Sequence, residues 1–256
     1  MATKRSADVR AADPDHRLRR GLPLGLKRYL KQIVYGGNDG IVTTFAVIAG
    51  FEGAGGEAGT PLAAGIVLLF GLANLFGDAT SMGLGDYISE RSEREVDRAE
   101  HAAMREMAAR RPDEAAAIVE RRLGAQGLAA DDARAVTDRL RKAPDALAHA
   151  VIALDHGVSP DGDTGMVTQA VVTFASFIAF GALPLAPYML PEIDVLTRIG
   201  PFGTALIGSL VALVLLGLLK HRVGGGSPLR SVAEIVIVGV IAGGVAFAVG
   251  TFFELT

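Results

Sequence analysis

The sequence predicts an all-α membrane protein, with five transmembrane helices and a helical cytoplasmic insert between the second and third. Three observations predict it. Half of the 256 residues are hydrophobic, and mean hydropathy is +0.36. The charges are bunched, so long stretches carry almost none. The basic residues fall on alternate connections between those stretches. Such a composition excludes a disordered chain, a collagen and a disulfide scaffold. Without cysteine, thiolate metal sites, redox dithiols and cysteine nucleophiles are excluded together. A net charge of −3 gives no case for a nucleic-acid partner.

A membrane helix needs about 20 mostly apolar residues, and five stretches supply them. The first runs from Ile33 to Phe51, interrupted by Asp39. The second runs from Pro61 to Ile88, interrupted by Asn74, Asp78 and Asp86. The third, Met166 to Leu190, is expected to kink or end at Pro184, Pro187 and Pro191. The fourth runs from Pro201 to Leu219 and the fifth from Val232 to Phe253. Buried helices of a soluble α-protein are the competing reading, but 203–219 lacks the polar face such a helix carries.

Of the 25 basic residues, nine precede the first span (Lys4 to Lys31) and none lies in 52–60. Twelve lie between 89 and 160, Arg198 alone in the third-to-fourth connection, and Lys220, Arg222 and Arg230 in the fourth-to-fifth. The positive-inside rule then puts the N-terminus in the cytoplasm and the C-terminus outside. The expected organisation is a basic cytoplasmic segment (1–31), spans one and two (32–88), the insert (89–160) and spans three to five (161–256). Residues 1–31 have no apolar core and so do not read as a secretory signal. Leu22 to Lys31 fits a short basic amphipathic helix on an anionic membrane surface, with a frayed tail as the alternative. High Ala, Gly and Arg content points to a GC-rich bacterial genome, hence a plasma membrane rather than an organelle membrane.

Within the insert, Arg91 to Arg111 continues the second span as a charged helix. Pro112 ends it, and Asp113 with Glu114 suits the first turn of the next helix. Gly124 and Gly127 stop that helix. Asp131 to Lys142 forms another, and Pro144 opens a last one that ends at Gly157.

Carboxylates inside spans mark the chemistry, because they are expensive there. Asp39 lies roughly 9 Å into the first span at 1.5 Å per residue. Its neighbours Gly36, Gly37 and Gly40 allow either close backbone approach or a break in the helix. Asn74, Asp78 and Met82 are spaced i, i+4, i+8 and share one face of the second span. Asp39, Asn74 and Asp78 offer hard oxygens, suited to Mn²⁺, Mg²⁺ or Fe²⁺. The Met82 thioether biases the set toward a transition metal. Two carboxylates neutralise one divalent cation and can bind protons when it leaves. A structural polar contact is the plainer reading of Asp78, and interface filling that of Met82. Gly83-Leu84-Gly85-Asp86 resembles the tetrad of intramembrane aspartyl proteases, but it ends a span instead of beginning one, and no Pro-Ala-Leu follows. Gly83 and Gly85 more simply permit tight helix packing. No Walker A or His-Glu-x-x-His sequence is present, and the five scattered histidines read as surface residues. Glu234 reads as an interfacial partner for a base.

At Asn38-Asp39-Gly40-Ile41-Val42-Thr43 and Ser81-Met82-Gly83-Leu84-Gly85-Asp86-Tyr87 the chain resembles the vacuolar iron transporter family, over about residues 30 to 255. The resemblance implies a dimeric transporter that moves Fe²⁺, and often Mn²⁺, out of the cytosol in exchange for protons. Its metal path would run between the first and second spans of both subunits. By position, the family's first-span aspartate falls on Asp39 and its second-span methionine on Met82. Its second-span glutamate falls on Asn74, a departure for which Asp78, one turn on, compensates. In the insert the family's metal-loading positions fall on Met104, Met107, Ala115, Ile118, Val151 and Asp155, and only Asp155 keeps a carboxylate. Glu100, Glu106 and Glu114 are candidates in a shifted register.

The expected function is therefore an Fe²⁺ and/or Mn²⁺ exporter and not an enzyme. Its metal residues are Asp39, Asn74, Asp78, Met82 and Asp155. Its partners are the divalent ion, protons, the lipid bilayer and a second copy of the chain, with no cofactor and no nucleic acid. A six-coordinate ion needs more ligands than one subunit offers, which independently favours a two-fold dimer. The alternative is a non-transporting membrane metal sensor or scaffold, with the insert as its working part.

Overall fold

In a computed structural model, the structure describes residues 28–56, 60–155, 165–190 and 194–253. These residues form eight helices and no strand: α1 (Leu30–Gly53), α2 (Pro61–Arg110), α3 (Pro112–Ala125), α4 (Ala130–Leu140), α5 (Pro144–Asp155), α6 (Met166–Met189), α7 (Asp194–Gly224) and α8 (Pro228–Phe252). Most of the expected amphipathic segment Leu22–Lys31 lies outside the described residues, as does Pro191.

Contacts divide the chain into two compact units, one of 1–86 with 168–256 and one of 87–167. The first holds the apolar helices. Four helical stretches among the described residues are long and apolar enough to cross a membrane: α2, α6, Ile199–Gly224 of α7, and α8. Their outward faces carry large apolar side chains such as Phe70, Val211, Leu215, Val240 and Ile241. Helix α1 has the length, at 24 residues, but Lys31, Gln32, Asn38, Asp39 and Glu52 dilute its apolar content, and it is not among the four.

Three local features refine the sequence reading. The Gly36–Gly40 stretch does not break α1, which is helical throughout. Its glycines serve close approach instead. A Cβ on Gly36 would sit 2.7 Å from the Thr173 carbonyl oxygen, and one on Gly40 would meet the Phe177 carbonyl. Pro184 and Pro187 do not end the third apolar helix. Both are buried inside α6, a setting in which membrane helices tolerate proline. The fourth begins two residues early, at Ile199, and kinks at Gly200, whose φ of 72° favours glycine.

Helix α2 runs for 50 residues. Its polar C-terminal half is supported by i,i+4 pairs, Arg91 to Glu95 at 3.0 Å and Arg94 to Glu90 at 3.2 Å. In the second unit, Pro112 starts α3 with Asp113 and Glu114 in its first turn, and Gly127, at φ 96°, follows its end. Ala108, Ala115, Val119, Leu147, Ala148 and Val151 form this unit's buried core.

Candidate metal site

Asp39 on α1 and Asp78 on α2 are both partly buried, and Asp78 lies close enough for its charge to act on Asp39. The close fit of α1 against α6 fixes this placement. Gly40, next to Asp39, meets the α6 backbone, and a Cβ on Gly181 of α6 would lie 2.8 Å from the Gly40 carbonyl oxygen. The Leu75 side chain of α2 reaches the same spot, 2.5 Å from that Cβ position. Helices α1, α2 and α6 therefore meet near Asp39. Among the described residues neither carboxylate has a hydrogen bond or salt bridge from a base. The Thr43 hydroxyl donates to the backbone carbonyl of Asp39, at 2.8 Å, and leaves its carboxylate free. Two carboxylates within electrostatic reach repel unless a cation or proton is taken up between them.

Asn74 and Met82 are partly buried like Asp78, in the register the helix period gives them. Met82 packs against the apolar cluster that contains Leu75 and Ala79. One chain contributes a sparse set: among the described residues no three His, Asp or Glu side chains gather in a way that could hold a metal ion.

Other polar groups lie on the same helices. The Asn38 side-chain oxygen and the Thr44 hydroxyl are buried without a hydrogen-bond partner. Asn38 was visible as part of the Asn-Asp-Gly motif, while Thr44 carried no signal. Asp86, the residue of the protease-like tetrad, accepts a hydrogen bond from Thr173 at 2.8 Å, a link from α2 to α6. Of the tetrad's glycines, Gly83 packs tightly, its Cβ position 3.2 Å from the Ala170 carbonyl and from Phe174. Gly85 has nothing within 4 Å, contrary to expectation. Glu234 pairs with Lys220 at 2.7 Å and Arg230 at 2.9 Å, as an interfacial residue should.

The second unit offers little for a metal. Met104, Met107, Ala115, Ile118 and Val151, the positions the resemblance assigned to metal loading, all belong to its apolar core or pack on it. Glu106 pairs with Arg110 at 3.1 Å and Glu114 with Arg111 at 2.8 Å. Asp155 closes α5, but its side chain lies outside the described residues. Two histidines are not isolated surface residues. His101 of α2 and His149 of α5 pack edge to face, with ring centroids 6.0 Å apart.

The chain matches the VIT family over residues 30–251. It belongs to that family. Among its relatives, a protein named vacuolar iron transporter from Toxoplasma gondii is 31% identical over 237 residues, covering 89% of this chain and 75% of the relative. Vacuolar iron transporter 1 of Oryza sativa subsp. japonica is 28% identical over 218 residues, covering 85% of this chain and 82% of its own. The vacuolar iron transporter of Plasmodium falciparum is 27% identical over 236 residues, covering 89% and 83%. The VIT match takes in Asp39, Asn74, Asp78 and Met82, and the whole insert with them.

Proposed function

We propose that this VIT-family chain is a metal transporter, and not an enzyme, that exports Fe²⁺ and/or Mn²⁺ from the cytosol in exchange for protons. The observation that carries the reading is the pair Asp39 and Asp78, partly buried, unpaired with any base among the described residues, with the Asp78 charge in reach of Asp39. The names of its relatives support iron as substrate. Asn74 adds a neutral oxygen and Met82 a soft thioether. Two carboxylates match the charge of a divalent ion, and protons replace it when it leaves.

In this reading α1 is a fifth span. Its polar residues face the ion path and not lipid, which is where polar groups at membrane depth are tolerated. The insert and N-terminus are cytoplasmic and the C-terminus outside, in a bacterial plasma membrane. Export to the outside and export to a vacuole then run the same way, out of the cytosol. Because one chain gathers so few ligands, two copies complete the site about a two-fold axis.

Flux into proteoliposomes is the test, against a panel of divalent ions with and without a pH gradient. The expected result is Fe²⁺ or Mn²⁺ uptake that a pH gradient accelerates. Bound metal without flux would favour a sensor or scaffold. Asp155→Ala is expected to leave flux within about twofold of wild type, since Met104, Met107, Ala115, Ile118 and Val151 are apolar core or pack on it and no group of three His, Asp or Glu gathers among the described residues. A loss as deep as that of Asp39→Ala would show that the insert loads metal after all.

A further inference from the structure

Asp86 is a carboxylate of the second span that the metal site described above does not use. It follows Met82 on α2 by four residues, as Met82 follows Asp78. At 3.6 residues per turn the three side chains fall within an arc of about 80°, and each step is about 6 Å along the axis. Asp86 is partly buried and is the last residue of α2 in the first unit. It lies toward the charged half of the helix, the end that the proposed topology puts in the cytoplasm.

Its position is fixed through α6. The hydroxyl of the buried Thr173 donates to Asp86 Oδ2 at 2.8 Å. The Thr173 carbonyl oxygen meets α1, where a Cβ on Gly36 would sit 2.7 Å away. Thr173 thus ties Asp86 to the turn of α1 that precedes Asp39. Both seams with α6 are tight here. Gly36 closes α1 on α6, and Gly83 closes α2 on α6 beside the Ala170 carbonyl. The α1–α2 side is left for an ion bound for Asp39 and Asp78.

Two unfilled acceptors lie one turn further toward the same end. Gln32 precedes Gly36 on α1 by four residues, and Gln169 precedes Thr173 on α6 by four. The Oε1 of each is buried without a hydrogen-bond partner, and Gln32 is only 8% exposed. Buried acceptors are normally satisfied, and a hydrated cation satisfies them. At Asp86, an asparagine would accept the Thr173 bond at a lower desolvation cost. One hydroxyl also fills only one of about four acceptor positions on a carboxylate. The charge and the remaining oxygen capacity are what a passing cation uses.

We propose that Asp86, positioned by Thr173, is the entry ligand that takes the divalent ion from the cytosol and passes it along Met82 to Asp78 and Asp39. Gln32 and Gln169 supply neutral oxygens at this mouth. A single carboxylate holds a doubly charged ion less firmly than the pair beyond it, so the ion moves inward. This role rests on the transport reading above.

Initial rates of Mn²⁺ uptake into proteoliposomes, read across Mn²⁺ concentration, test it, with thermal unfolding in detergent alongside. Asp86→Asn keeps an oxygen for Thr173 and loses the charge. It is expected to raise the half-saturating Mn²⁺ concentration roughly tenfold, as loss of a focusing charge does. Maximal flux should stay within about twofold, and the unfolding temperature should not move. Asp86→Glu is expected to recover most of the affinity. Thr173→Val should shift it less than Asp86→Asn does, and Thr173→Ser should match wild type. An unchanged half-saturating concentration in Asp86→Asn overturns the proposal, whether or not maximal flux falls, because a mere staple between helices would behave so. Loss of all flux at saturating Mn²⁺, as expected of Asp39→Ala, puts Asp86 in the central site and also overturns the entry role. Wild-type protein that carries no divalent metal refutes the transport reading itself. Wild-type flux with unaltered Mn²⁺ affinity in Asp86→Asn refutes this site alone.

Discussion

Asp39→Ala and Asp78→Ala are each expected to abolish Fe²⁺ or Mn²⁺ flux in proteoliposomes. The Asp78 charge acts on Asp39, and among the described residues no base pairs with either carboxylate. Each therefore contributes half of the charge that faces the ion in a desolvated setting. Removing one partner of a buried charge pair costs about 3–5 kcal/mol, a loss of roughly 10²–10³ in ion occupancy at 1.4 kcal/mol per tenfold. Asp39→Asn and Asp78→Asn keep shape and hydrogen-bonding oxygen, so they separate charge from packing and are expected to fail as badly as the alanines. The double variant should lose little beyond either single one, because the first loss already leaves the ion unneutralised. Asn74→Ala, which removes a neutral oxygen, should cost much less. Wild-type flux in both aspartate variants would end the site.

The apolar runs made four of the five expected spans legible, because a helix facing lipid must be apolar over most of its length whatever its neighbours. The proline and glycine signals of 112–144 were equally local, and the α3 to α5 boundaries follow them. What stayed hidden depends on partners distant in sequence. Gly83 and Gly85 look alike in the sequence, yet only Gly83 has an α6 backbone and Phe174 against it. Pro184 and Pro187 are expected to kink or end a helix, and α6 runs past both at buried positions. Asp39 and Asp78 were recognisable as costly membrane carboxylates, and the resemblance put both on one path between the first two spans; which α6 contacts hold α1 in place was not visible. Met104, Met107, Ala115, Ile118 and Val151 are buried in or packed against one apolar cluster, a placement that their spacing alone does not give.

Gly40→Ala is expected to destabilise the protein and to reduce transport together, through a single added methyl group. A Cβ on Gly40 runs into the Phe177 carbonyl of α6, with the Phe177 carbonyl carbon and Cα each at 3.1 Å. These are backbone atoms, so no rotamer change relieves the clash, and the helices must separate. Overpacking of this kind costs about 1–3 kcal/mol. It outweighs the gain of about 1 kcal/mol that Ala has over Gly inside a helix. Separation also moves Asp39, the preceding residue, relative to Asp78, so metal flux should fall further than stability alone would dictate. Gly40→Leu, with no room for a longer side chain, is expected to prevent recovery of folded protein in detergent. Gly85→Ala is the matched control: it lies in a helix too, with nothing within 4 Å, and should be neutral or slightly stabilising. Thermal unfolding in detergent and flux in proteoliposomes read the two effects separately. Wild-type stability and flux in Gly40→Ala would mean that α1 and α6 do not touch backbone to backbone, and the placement of Asp39 beside Asp78 would lose its structural basis.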